Sequence, residues 1–322
     1  MKKSLKILAV AAALVLLIGM FAGCATQAKF PSKQVNIVVP YSPGGASDTV
    51  ARIFAKELEG VLGVPVLVTN KTGASGAVGL EAVKNSKADG YTIAYMPVES
   101  TMIKALGFTE LTTDDFNFLA RAMTIPAAVT VHKDAKWNTL EELLKDAAAN
   151  PGSLKVGNSG TGSIWHIAAT QLEQASGAKF THVPFEGAAP AVAALMGKNI
   201  DVVTVSPSEV KSGVDAGDLK VLAVLGDKPS SVVPDAKLAK DMGYNVVAQG
   251  WGGFAVPKDT PADVVKTLED AAAKAIDSQN LKDLLAERGF EYNYMNSADM
   301  NAYAKQQLDF YMDLIPKLGI KK

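Results

Sequence analysis

Short apolar runs alternate with helical patterns along most of the chain. The run Val35-Asn36-Ile37-Val38-Val39 predicts a strand, and Val50, Ile53, Phe54, Leu58, Val61 and Leu62 follow at helical spacing. Residues 65–70 predict a second strand, Leu80, Val83 and Lys84 a short helix, and residues 91–96 a third strand. Residues 98–126 show no regular period, and a strand signal returns only at 127–131. A helix is predicted at 140–149, ended by Asn150-Pro151-Gly152, then a strand at 154–158 and a helix with Ile164, Ile167, Ala168 and Leu172 on one face. Further strands are expected at 180–184, 202–206 and 219–225, with helices at 191–196, 261–276 and 301–315; residues 246–256 carry Trp251 and a Gly-Gly pair. Strands alternating with helices predict an α/β class with mostly parallel sheets flanked by helices.

Four strand-to-helix junctions carry glycine and small residues: 40–48, 71–77, 157–163 and 185–190. The first reads Pro40-Tyr41-Ser42-Pro43-Gly44-Gly45-Ala46-Ser47-Asp48. The first backbone N–H groups of a helix have no partner within it, and they carry about half a positive charge. Glycine lets that backbone approach a ligand, so such a junction can receive an anion. It can equally be a plain turn with Ser47 or Asp48 as cap. In open α/β sheets ligands bind beyond the carboxyl ends of the strands, where these four junctions would gather. A carboxylate suits a ring of N–H and hydroxyl donors.

The N-terminus reads as an export leader. Lys2, Lys3 and Lys6 precede the apolar run 7–20, and Phe21-Ala22-Gly23-Cys24 follows. Cys24, the only cysteine of 322 residues, stands where a lipoprotein would be cut and acylated. It leaves no disulfide to staple the fold. The chain is expected to be exported and tethered to the outer side of the cell membrane through lipidated Cys24, with no later stretch long enough to span a bilayer. The 32 basic and 33 acidic residues include the three leader lysines, so the mature chain is weakly acidic and nucleic acid is not an expected partner. The three arginines, Arg52, Arg121 and Arg288, all lie outside the Gly-rich junctions.

Motifs in order along the chain carry a resemblance. They are Pro43-Gly44-Gly45 with Asp48, Asn70-Lys71-Thr72-Gly73-Ala74-Ser75-Gly76 with Gly79, and Asp89-Gly90-Tyr91-Thr92. Then come Asn158-Ser159-Gly160-Thr161-Gly162-Ser163 with His166, and His182-Val183-Pro184-Phe185-Glu186-Gly187 with Pro190. Gly197 with Asp201, and Trp251-Gly252 with Pro257, end the series. The chain resembles the extracytoplasmic solute-binding receptors of tripartite tricarboxylate transporters, the Bug receptor family, over nearly all of its mature length.

That resemblance implies a two-lobed periplasmic-binding-protein (Venus flytrap) fold that closes on a small carboxylate and delivers it to membrane permease subunits. The implied division is a leader at 1–23, a lipidated tether at 24–33, a discontinuous first lobe of 34–128 plus 245–322, and a second lobe of 129–244. Implied ligand contacts in the first lobe are Tyr41, Ser42, Gly44, Gly45, Ser47, Ala74, Ser75 and Gly76, with Asp48 ordering its loop or touching the ligand. In the second lobe they are Ser159, Thr161, Ser163, His166, Phe185, Glu186, Gly187 and Asp201. No catalytic residue, metal or cofactor is expected, and the protein is expected to be a monomer. Glu186 departs from the family, which often has Lys or Arg there; its charge would repel a second ligand carboxylate. A monocarboxylate, dicarboxylate or amino acid is therefore favoured over citrate. Rival readings are an ABC-type importer's binding protein and a ligand-sensing lipoprotein. A hydrolase fits poorly, because Thr161 and Ala77 break the Gly-x-Ser-x-Gly pattern around Ser159 and Ser75.

Overall fold

A computed structural model describes residues 30–320, so the leader and Cys24 lie outside the described residues. The chain runs β1 (Val35–Val39), α1 (Ala46–Leu62), β2 (Val66–Asn70), α2 (Ala77–Lys84), β3 (Thr92–Pro97) and β4 (Phe116–His132). It continues through α3 (Leu140–Ala149), β5 (Lys155–Asn158), α4 (Ile164–Ser176), β6 (Thr181–Pro184), α5 (Ala188–Met196), β7 (Val202–Val205), α6 (Pro207–Asp215) and β8 (Leu219–Leu225). The last part holds β9 (Gln249–Pro257), α7 (Ala262–Asp277), α8 (Gln279–Glu287), β10 (Glu291–Asn296) and α9 (Ser297–Leu318).

β1 pairs in parallel with β2 and β3, and β5 in parallel with β6 and β7. The expected parallel pairing is confined to these two triplets. The strands that join them, β4, β8, β9 and β10, pair antiparallel. β4 belongs to both sheets: Phe116–Pro126 lies along β9, and Ala127–His132 along β8 and β7. The fold is thus two-lobed α/β, with one strand running through both halves.

β4 is also where the periodicity reading falls short. It begins at Phe116, whereas the sequence signal began at 127. Nearly every residue of β4 is buried, so apolar and polar positions do not alternate. Arg121 breaks the apolar pattern further, yet it too is buried; its guanidinium donates to the Asn293 backbone carbonyl at 3.2 Å and to Asn293 Oδ1 at 2.7 Å. The apolar period does not predict helix α6, although Ser206-Pro207-Ser208-Glu209 spells a capping box with proline at its start. Nor does it predict α8 or the largely exposed edge strand β10.

The first half packs around Ile37, Phe54, Leu58 and Phe254, with the rings of Phe54 and Phe254 stacked 3.7 Å apart. The second packs around Val156, Ile167, Leu195 and Val203. The C-terminal helices return to the first sheet: α7 lies on α1 and β4, and α9 on β4. All four Gly-rich junctions leave the carboxyl ends of parallel strands (β1, β2, β5 and β6), which fixes where a site can form.

Candidate functional site

The four junctions meet. Gly73–Gly76 from the first half and Ser159–Thr161 with Pro184–Glu186 from the second line one cavity of about 200 Å³, with Tyr41 and Phe108 completing the wall. Hydrogen bonds cross between the halves beside it. The Ser42 hydroxyl and N–H donate to the Glu186 carbonyl at 2.5 and 3.2 Å, and the Ser75 hydroxyl donates to the Thr161 carbonyl at 2.5 Å.

The 73–76 wall is strained main chain. Gly73 and Gly76 have φ of 128° and 99°, and between them Ala74 and Ser75, which carry side chains, have φ of 48° and 50°. A left-handed non-glycine residue costs about 1–3 kcal/mol. The surroundings hold it there: the Tyr41 hydroxyl donates to the Ser75 carbonyl at 3.1 Å, and Gly79 lies so close to Lys71 that a Cβ would fall 2.6 Å from its carbonyl oxygen. The turn thereby borders the cavity, with the Gly76 N–H returned to the Gly73 carbonyl at 3.0 Å and the Ser75 hydroxyl bonded to Thr161.

A second, smaller cavity of about 40 Å³ lies between the halves and shares Tyr41 and Ser159 with the first. Tyr95, Trp165 and Trp251 line it, together with two glutamates that sequence reasoning did not single out, Glu99 and Glu209. Each glutamate reaches into the opposite half. Glu99, in the turn after β3, accepts the Ile164 N–H at the start of α4 at 2.9 Å. Glu209, in the first turn of α6, accepts the Ala46 N–H at the start of α1 at 3.1 Å, and its other oxygen takes the Ser206 N–H and hydroxyl at 2.9 and 2.7 Å. Burial lifts the Glu99 carboxyl to about 7, and the charge of Glu209 adds to the lift. Burial raises Glu209 as well, against the hydrogen bonds that it accepts. Only the capping-box spelling around Glu209 was visible in the sequence.

The remaining candidates divide. Gly45, Ala46 and Ser47 line the smaller cavity, and Gly187 packs against Ser42. Gly44 donates its N–H to Asp48 at 3.0 Å. Asp48 is buried beneath the first junction, where it also accepts from Arg52 and Asn70. Burial alone would raise its carboxyl, but the bonds from Arg52, Gly44 and Asn70 hold it below the usual range. Ser163 caps α4 and accepts the His166 N–H at 3.2 Å. His166 lines neither cavity just described. Its Nδ1 accepts the Gly162 N–H at 2.8 Å and its ring lies 4.4 Å from His182, with burial holding its pKa down at about 4. Asp201 accepts the Lys155 N–H at 2.8 Å, at the amino end of β5 and so at the far edge of the sheet from the cavities. Phe185 and Glu186 border the larger cavity, and Glu186 is exposed.

With this geometry in view, the comparisons with known proteins decide the family. The model of the "Tripartite tricarboxylate transporter family receptor" matches residues 50–320. The chain belongs to the tripartite tricarboxylate transporter receptor family. It is 30% identical over 297 residues to a UPF0065 protein of Cupriavidus necator, covering 91% of this chain and 90% of that one. A TctC solute-binding protein from Polaromonas, solved without ligand, is 38% identical and covers 89% of this chain and 99% of its own, with a TM-score of 0.66. The periplasmic binding protein BugD is 28% identical and covers 91% of this chain and 100% of its own, with a TM-score of 0.86. This receptor family is therefore one of periplasmic solute-binding proteins and not of enzymes. Among the described residues no helix is long and apolar enough to cross a membrane.

Proposed function

We propose that the protein captures one small carboxylate between its two lobes and hands it to the permease subunits of a tripartite tricarboxylate transporter. The observation that carries this reading is the convergence of residues from all four Gly-rich junctions on one cavity of about 200 Å³. The lobes are residues 34–128 plus 245–322 and residues 129–244, hinged where β4 changes partners at Pro126 and Ala127. Tyr41, Ser42 and Ala74–Gly76 hold the carboxylate from one side, and Ser159, Thr161 and Phe185–Gly187 enclose the solute from the other. Gly44, Gly45 and Ser47 frame the first junction. Asp48, Ser163 and His166 set the shape of these loops; Asp201 braces the sheet.

Closure adds the bonds of Ser42 and Ser75 across the cleft, so a solute that fits the closed form shifts the population towards it. The Polaromonas relative is the more identical of the two structures yet superposes less well than BugD, a difference of the kind that rearrangement of rigid halves produces. Glu186 at the rim disfavours a second or third carboxylate, so a monocarboxylate, a dicarboxylate or an amino acid is favoured over citrate. Export and acylation at Cys24 would keep the receptor beside its permease.

The test is mass spectrometry of solute released from the purified protein, followed by calorimetry with mono-, di- and tricarboxylates and amino acids. One small carboxylate of the favoured classes is expected, with binding weakened by Ser75→Ala. Tightest binding of citrate, reduced by Glu186→Lys, would remove the Glu186 argument; absence of binding by every carboxylate would remove the function.

A further inference from the structure

The smaller cavity has the wrong sign for a carboxylate. Glu99 and Glu209 line it, and no lysine, arginine or histidine does. Glu99 is deeply buried, at 4% exposure, and Glu209 is half-buried; among the described residues neither has an ion pair. Their partners are backbone N–H groups and hydroxyls alone. A buried carboxylate with no cation is costly, and two of them facing one space repel.

The aromatic walls point the same way. Tyr41, Tyr95, Trp165 and Trp251 surround the pair, and ring faces attract a cation that has left water. An independent observation comes from Trp251. It is 3% exposed, it lines the cavity, and its indole N–H has no acceptor. That unmet donor marks this wall as one that the protein alone leaves incomplete; the charge of what fills the cavity is set by the glutamates.

We propose that Glu99 and Glu209, with the aromatic rings around them, form a subsite for an ammonium or quaternary ammonium group, and that the solute is a zwitterion. Its carboxylate lies at the Ala74–Ser75 turn and its cationic end between the glutamates. Tyr41 and Ser159, common to both cavities, stand between the two ends. The pair discriminates by charge: an ammonium relieves the repulsion between the glutamates, whereas a second carboxylate would add to it. The proposal rests on the capture of a carboxylate argued above and narrows its class.

The test is calorimetry on the full mature chain, freed of co-purified solute, with probes matched in length and differing in one group. β-Alanine is set against succinate, alanine against lactate, 4-aminobutanoate against glutarate, and glycine betaine against acetate. At least one amino or betaine probe is expected to bind more tightly than its partner. Glu99→Gln should weaken that probe by about 10- to 100-fold, the range of one charge-assisted hydrogen bond. The same variant should improve binding of the matching acid. Glu209→Gln also loosens the capping box of α6, so Glu99→Gln is the deciding variant, and its thermal midpoint checks that it is folded. If acids bind more tightly than their amino counterparts, or Glu99→Gln leaves the preference unchanged, the cationic subsite is wrong and carboxylate capture stands. If neither class binds, carboxylate capture fails and the subsite with it.

Discussion

The two cavities between the halves are built from opposite materials. The larger is walled by main chain and small side chains of residues 73–76 and 159–161, the first of these a strained turn. The smaller is walled by two glutamates, one buried and one half-buried, and four aromatic side chains. Amides at helix starts prefer an anion; carboxylates under aromatic rings prefer a cation. On the proposed function, the contrast assigns carboxylate recognition to the loops of the larger cavity and discrimination among carboxylates to side chains that reach across from the opposite half.

The sharpest way to probe that contrast is pH. The folded Glu99 carboxyl titrates at about 7, against 4.5 when unfolded. Tyr41, Tyr95 and Glu209 face it, with Tyr311 of α9 near enough to feel its charge, and no basic side chain lines the cavity. The raised value means that stability is fully present below 4.5 and falls as pH rises towards 7. Glu99→Gln should flatten that fall, leaving the variant more stable above pH 7 by on the order of 3 kcal/mol while it loses the ammonium probe. Thermal midpoints across the interval measure both curves; parallel curves would show that Glu99 does not titrate there.

Two glycines attack one wall each. A Cβ at Gly252 would fall 1.9 Å from the Tyr95 hydroxyl, and one at Gly79 would fall 2.6 Å from the Lys71 carbonyl oxygen. Each change to alanine should cost about 1–3 kcal/mol in urea unfolding. Gly252→Ala should disturb the acidic wall and its preference for a cation; Gly79→Ala should disturb the amide wall and weaken every carboxylate alike. Equal effects on all probes from both variants would erase the distinction between the walls.

Asp48→Asn should cost about 1–2 kcal/mol at neutral pH, since it removes the carboxylate that organises Gly44, Arg52 and Asn70. The depressed Asp48 carboxyl contributes stability above its unfolded pKa and loses it as pH falls through the folded one. The deficit of the variant should therefore shrink in acid, as followed by urea titration at several pH values. The smallest effect expected is from Ser75→Ala, about 0.5–1.5 kcal/mol, since it removes one bond between the halves. It should appear in solute affinity and closure, measured by calorimetry and small-angle scattering, more than in the unfolding midpoint.

Much of the frame was legible in the sequence because local rules agreed with the fold. Residues 35–39 and 140–149 fall where their periods put them, and each glycine-rich junction leaves a parallel strand. The early part of β4 was not legible, because a strand buried on both faces does not alternate and Arg121 disguises it further. From the sequence, Asp201 and His166 can each touch a ligand or brace neighbouring backbone, and local pattern does not choose between the two. In the structure Asp201 accepts the Lys155 N–H at the amino end of β5, and His166 Nδ1 accepts the Gly162 N–H.

The sequence by itself determined the alternation of strands and helices, the four small-residue junctions and the family motifs, all of which depend on residues close together in the chain. Only the tertiary structure brought Glu99 to the start of α4 and Glu209 to the start of α1, across 65 and 163 residues of chain. No local pattern encodes that meeting. It arises because β4 runs through both sheets and sets the carboxyl ends of the two parallel triplets face to face, where each half's acid finds the other's unpaired N–H groups.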